Sequence, residues 1–150
     1  MKTAQIGKCG ELLVQYQLLM HEVESAHLTT DSGIDLVAYS PRSARPITIQ
    51  VKANLRPKPG GGKGKVALDW WVPESSPAHY VALVDLSTQC VWLFAQTEIA
   101  ELAQQTSNGR HRLYMYVDAT AKPKKAERAI HKYEFDKYLL EKRIHEIFDA

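Results

Sequence analysis

Between Ile6 and Glu24 the apolar residues Leu12, Tyr16, Leu19, Met20 and Val23 stand at i, i+4, i+7, i+8 and i+11. This spacing predicts a first helix over 6–24, with that stripe turned toward a sheet. Short apolar or alternating segments at 26–29, 34–39 and 47–53 read as strands, with turns around Gly33 and between Ser40 and Pro46. Pro57, Pro59 and the glycines at 60–62 make 54–65 an irregular loop. Residues 66–72 read as extended, and 80–86 and 90–95 as two buried strands, because each is short and continuously apolar. Thr97 is a good N-cap for a short helix over 98–105, and 112–117 alternates as a further strand. A closing helix from near Asp136 places Leu140, Ile144, Ile147 and Phe148 on one stripe. The order predicts an α/β fold, a mixed central sheet flanked by helices. With no repeat and no dividing linker, 1–150 reads as a single domain.

Composition narrows the class. Apolar residues at 45% and charged residues at 24% exclude a disordered or collagen-like chain. The longest apolar run, 90–95, falls far short of the roughly 20 residues of a membrane span. The first eight residues lack the apolar core of a secretion signal. Cys9 and Cys90 form no CxxC pair, so neither a disulfide framework nor a zinc site is expected, and a reducing cytoplasm is the expected location. The net charge of +2 says little, but its distribution says more. From Tyr39 to Leu68 the chain carries Arg42, Arg45, Lys52, Arg56, Lys58, Lys63 and Lys65 without one carboxylate, the pattern of a surface that meets phosphates. A second cluster, Lys122, Lys124, Lys125, Arg128 and Lys132, reads as solvated surface.

Alternation within 47–53 puts Ile47, Ile49 and Val51 on one face and Thr48, Gln50 and Lys52 on the other, with Gln50 and Lys52 roughly 6.8 Å apart along the strand. Asp35 is the one carboxylate in the apolar run 34–39, and an ionised group there is costly without compensation. If the two strands pair as a hairpin, Asp35 comes near Gln50, and a carboxylate, an amide oxygen and an ammonium share one patch. Such a patch suits phosphodiester hydrolysis with Mg²⁺, which takes oxygen ligands and keeps several waters. Lys52 would stabilise charge on the phosphate or help activate the attacking water. Glu11 shares a helix face with Gly7, Val14 and Leu18, roughly 130° from the main stripe. It is either an exposed acid favoured by the helix dipole or a group facing the strand edge that bears Asp35; beside Asp35 and Lys52 the second reading is preferred. The glycine-rich run is not a phosphate loop, since Pro59 and Val66 occupy positions that need Gly and Ser or Thr. Trp70 and Trp71, if extended, project to opposite faces, one for the core and one open to a base or a subunit contact.

Gly33-Ile34-Asp35-Leu36-Val37, followed by Ile49-Gln50-Val51-Lys52-Ala53, resembles the PD-(D/E)xK nuclease superfamily, whose fold is restriction-endonuclease-like. Gly7-Lys8-Cys9-Gly10-Glu11 is similar to the GxxGE element of its resolvase-like and homing-endonuclease-like members. The resemblance covers roughly the first third of the chain. It implies that Asp35 is the central metal ligand, Gln50 the (D/E) position, Lys52 the catalytic lysine and Glu11 a helix-borne acid. The Val51 carbonyl would join Asp35 and Glu11 around Mg²⁺, with Mn²⁺ as a substitute. Gln50 removes a negative charge from the usual pattern, and homing-endonuclease members are similar in carrying QxK. Ile34 stands where the motif has proline. The expectation is a metal-dependent DNA endonuclease that works as a homodimer, since cutting two strands takes two sites. Arg42, Arg45, Arg56, Lys58, Lys63 and Lys65 would lie along the nucleic acid. The alternative is a nuclease-fold module that binds DNA or a partner protein without cutting, which Gln50 favours.

Overall fold

Strands that bury both faces read as unbroken apolar runs, and two such runs form the middle of the molecule. The structure is a computed structural model describing every residue except Asp31, Ala44, 61–63, 124–127 and Ala150. Lys63, Lys124 and Lys125 of the basic clusters therefore lie outside the described residues. Strands β6 (Tyr80–Asp85) and β7 (Cys90–Ala95) pair antiparallel. Ala82, Val84, Val91 and Leu93 enter one core with helices α1 (Thr3–Met20) and α3 (Leu140–Phe148). Val81, Leu83, Trp92 and Phe94 enter a second core on the opposite face.

The first sheet has the order β1-β2-β3-β6-β7, where β1 is Glu24–His27, β2 Leu36–Tyr39 and β3 Ile47–Asn54. β3 and β6 run parallel and the other neighbours antiparallel. A parallel pair needs a crossover. Here the chain leaves β3, enters a second sheet and returns to β6. That sheet is antiparallel, with the order β4-β5-β9-β8: β4 is Lys58–Pro59, β5 Val66–Pro73, β8 Gln105–Ser107 and β9 Arg110–Tyr116. Phe135 from a 3₁₀ segment (Lys132–Tyr138) and Ile99 from α2 (Gln96–Leu102) complete the second core. A helical layer thus covers one face of the mixed sheet, and the second sheet covers the other.

Several expectations change. α1 ends at Met20, and the residues given to its last turn enter β1 through Glu22, whose φ of 64° reverses the chain. The stripe expected to face the sheet is turned outward: Leu12, Tyr16, Leu19 and Met20 are 52–67% exposed, while Gly10, Val14 and Leu18 are buried. Gly10 explains the reversal, because it lets the helix backbone lie directly on Ala53. The expected loop at 54–65 contains β4, and the extended segments 66–72 and 112–117 pair with each other outside the central sheet. α2 begins at Gln96, capped by Glu98 accepting the Ala95 N–H at 2.7 Å rather than by Thr97. Trp70 is buried and Trp71 half-buried. Among the described residues, no helix is long and apolar enough to cross a membrane.

Candidate active site

The site is built where β2 stops and β3 continues. β2 and β3 form the antiparallel hairpin, with Leu36 opposite Ile49. One residue earlier, Asp35 donates its N–H to the Ile49 carbonyl at 2.9 Å, and its Oδ2 accepts the Val51 N–H at 2.7 Å. The carboxylate takes the place of the next ladder bond, which compensates an acid at the end of an apolar strand. A strand residue points its N–H and C=O to the same side. The Val51 carbonyl therefore faces the fork that Asp35 occupies. Asp35 Oδ1 has no hydrogen-bond partner among the described residues.

Gln50 and Lys52 point away from α1, since Val51 and Ala53 are the residues that meet Gly10. Gln50 is buried, and its Oε1 accepts the Ser76 hydroxyl at 2.8 Å. Lys52 is half-buried and has no hydrogen-bonding or ionic partner among the described residues. It opens into a cleft of about 1020 Å³, also lined by Thr3 and Gly7 of α1, Arg56, Lys58, and Tyr114 of β9. The structure thus sets the Asp35 carboxylate against the Val51 peptide and the Lys52 side chain in the cleft, while Asp35 and Gln50 are not among the described residues that line that cleft.

Glu11 is placed differently. Its Oε1 lies 3.0 Å from His27 Nδ1, and Lys8 Nζ lies 3.4 Å from the same ring nitrogen. His27 pairs with Leu36, so Glu11 stands at the Asp35 end of the sheet, on its α1 face. Among the described residues no hydrogen bond joins Glu11 to Asp35, Gln50 or Lys52.

The basic run does not form one surface. Arg56 and Lys58 line the cleft, and Lys65 donates to Thr120 at 2.5 Å. Arg42 and Arg45 lie at the other end of β3, about 17 Å along the strand from Lys52. Arg42 donates to Asp149 at 3.1 Å and to Glu22 at 3.3 Å, so its guanidinium is an internal tie and not part of the cleft. Reversal of direction at the hairpin turn separates residues that adjoin in sequence.

Sequence reasoning missed the far wall of the cleft. Asn54, the last residue of β3, donates to the Asp69 carbonyl at 3.0 Å and accepts the Asp69 N–H at 2.8 Å. Arg112 grips the Asp69 carboxylate with two hydrogen bonds of 2.9 and 2.8 Å, which raises the guanidinium pKa further. Burial, with Tyr116 next to it, holds the Tyr114 hydroxyl above its ordinary pKa and keeps it neutral. The alternation in 112–117 already places Arg112, Tyr114 and Tyr116 on one face; only their pairing with β5 was not legible.

The oxygen donors at the fork fit a hard cation. Asp35 supplies one carboxylate and Val51 a carbonyl, oxygen ligands of the kind taken by an ion that retains waters. Among the described residues, no group of three or more His, Cys, Asp or Glu side chains converges.

No protein-family profile matches the sequence, and no curated protein matches it. Solved structures do. The fold is similar to that of a bacterial homing endonuclease, I-Ssp6803I, with a TM-score of 0.63 at 13% identity over 99% of this chain and 92% of the other. Two further similarities are to Hjc, a Holliday junction resolvase from Archaeoglobus fulgidus (TM-score 0.49, 15% identity, 71% of this chain and 82% of the other), and to MepB (0.42, 15%, 87% and 94%). The chain has the restriction-endonuclease-like nuclease fold, with its mixed sheet and flanking helices.

Proposed function

We propose that the protein is a metal-dependent endonuclease that hydrolyses phosphodiester bonds of DNA at Asp35, Gln50 and Lys52, with Glu11 as the helix-borne acid. The observation that carries this reading is the Asp35 carboxylate bonded to the Val51 peptide, with Lys52 opening into a basic cleft one residue further on. The fold shared with a homing endonuclease supports the choice of DNA. Asp35 and the Val51 carbonyl would hold Mg²⁺ or Mn²⁺, with Glu11 as a further ligand. Bound there, the ion would supply Lewis-acid polarisation of the phosphate and a lowered pKa for a bound water. Asp35 orients the attacking water, and the Lys52 ammonium stabilises negative charge on the phosphoryl oxygens. The water oxygen bonds to phosphorus as the bond to one ester oxygen breaks. The attacking water gives its proton to solvent, the departing oxygen takes one up from solvent to leave as a hydroxyl, and the phosphate stays on the other fragment. Cutting both strands of a duplex calls for two copies. The exposed apolar face of α1, next to the edge strand β1, supports a homodimer.

Gln50 favours a second reading, a DNA-binding module that does not cut, because its oxygen is engaged by Ser76 and contributes no charge. One experiment separates the two. Supercoiled DNA is incubated with protein and Mg²⁺ or Mn²⁺, beside Lys52→Ala and Asp35→Ala. The nuclease reading expects metal-stimulated cleavage that falls at least about 100-fold in each variant, the scale of a lost charge-stabilising group. Cleavage equal in all three proteins removes the site assignment. Salt-sensitive binding without any cleavage establishes the module.

A further inference from the structure

The far wall of the cleft is the outer face of the second sheet. Alternation along β9 sends Leu113 and Met115 into the core and leaves Arg112, Tyr114 and Tyr116 outside; β5 adds Trp71 between buried Trp70 and Val72. The register sets Trp71 opposite Arg112. The Arg110 guanidinium lies 5.0 Å from the Trp71 ring centre, and Arg112 lies 5.7 Å from Trp71 and 5.3 Å from Tyr114. Tyr114 meets Tyr116 at 5.3 Å, edge to face. Trp71, Arg112, Tyr114 and Tyr116 form a continuous half-buried row, with Arg110 exposed at its end, and Arg112 is held in it as a fixed plate because Asp69 occupies its donors. Arg112, Tyr114 and Tyr116 share the cleft with Lys52, Arg56 and Lys58. A basic rim that tracks a phosphate backbone, joined to rings that accept any base, is the arrangement that holds unpaired strands. A duplex keeps its bases stacked inside and offers such rings nothing.

We infer that Trp71, Tyr114 and Tyr116 form a stacking surface for unpaired nucleotides, so that the cleft takes a strand with its bases splayed out beside the phosphate at Lys52. The inference deepens the nuclease reading and depends on it only for the position of the cut phosphate. Its test is therefore binding without cleavage. End-labelled oligo(dT) and oligo(U) of about twelve nucleotides, and a duplex of equal length, are titrated by fluorescence anisotropy in EDTA. Tyr114→Ala and Tyr116→Ala are expected to weaken single-strand binding roughly 5- to 150-fold, the effect of losing one stacked base. Duplex binding should change less than about two-fold, and Tyr114→Phe should bind as the parent does because the ring face remains. Equal losses for single strand and duplex, or no loss for either, overturn the inference. Oligo(dT) and oligo(U) tell DNA from RNA as the source of the unpaired strand. With the unaltered protein, photo-crosslinking to an iodouracil-substituted single strand should map to Trp71, Tyr114 or Tyr116. Crosslinks confined to other residues overturn it even if the alanine variants fail to fold. Stacking that persists in a protein without nuclease activity leaves this inference standing and removes the other.

Discussion

At the scale of single residues, the two glycines of the first helix have opposite consequences. A Cβ on Gly10 would stand 2.6 Å from the Ala53 Cβ and 3.4 Å from Val51 Cγ1, so the helix would have to lift off the strand that carries Lys52. A Cβ on Gly7 meets nothing within 4 Å. Gly10→Ala is expected to cost about 1–3 kcal/mol through overpacking, whereas Gly7→Ala should gain roughly 0.5–1 kcal/mol from helix propensity. Urea denaturation of the two variants, side by side, checks the contrast; equal effects would mean that α1 does not rest on β3 at Gly10. The hairpin that sets Asp35 beside the strand carrying Gln50 and Lys52 was legible at this scale, because a strand's alternation and a lone acid in an apolar run are local signals. The partners of the site residues were not. Ser76 reaches Gln50 from 26 positions away, and His27 reaches Glu11 from 16, distances over which no periodicity operates.

Among elements, strands β3, β6 and β7 followed from their apolar runs, while the buried face of α1 did not. Counting apolar residues selects Leu12, Tyr16, Leu19 and Met20, but contact geometry selects the narrower face where Gly10 admits the sheet. Leu18→Ala should therefore cost roughly 2–5 kcal/mol and Leu19→Ala less than about 0.5 kcal/mol, measured by denaturation of dilute protein. A Leu19→Ala cost that grows with protein concentration is the mark of a second copy seated on that face. A further link between elements ties the end of α3 to the β2–β3 turn. Asp149 Oδ2 lies 2.6 Å from His145 Nδ1, and its Oδ1 accepts from Arg42. The His145 hydrogen bond, then Arg42, holds the Asp149 carboxyl below the ordinary 3.8. A depressed folded pKa means that the unfolded chain takes up the proton first. The tie contributes fully above 3.8 and is lost as pH falls through the lower folded value. Asp149→Asn is expected to lower the denaturation midpoint at neutral pH and to shrink the gap from the parent protein as the buffer is acidified below about pH 4. A constant gap across the acid range would show that the ionised carboxylate is not what matters.

For the whole molecule, the question is what fixes one sheet against the other, since residues of both wall the cleft. Apolar packing supplies most of the adhesion through Trp92, Phe94, Leu68 and Leu113, but it is non-directional. Asn54 supplies direction. Its side-chain amide donates to and accepts from the Asp69 backbone, which joins β3 to β5 as a further strand residue would, and Arg112 carries the connection across to the tyrosine wall. The second sheet was hidden from the sequence for the same reason: β5 finds its partner β9 some forty residues later, and an asparagine at a strand end reads as the start of a loop. Asn54→Ala leaves an N–H and a carbonyl of Asp69 without partners, for a loss of about 1–3 kcal/mol if they are kept from water. The separate consequence is geometric, because Lys52 is unaltered while the opposite wall loses its tether. On the proposed nuclease reading, metal-dependent cleavage, assayed well below the melting temperature of the variant, should drop at least about ten-fold, since small displacements of positioning groups carry large rate penalties. Asn54→Asp still accepts the Asp69 N–H but turns a second oxygen toward the Asp69 carbonyl, so it should fall between the two. If Asn54→Ala loses stability yet cleaves at the parental rate, the sheets are registered by their core alone and the clasp is only a source of stability.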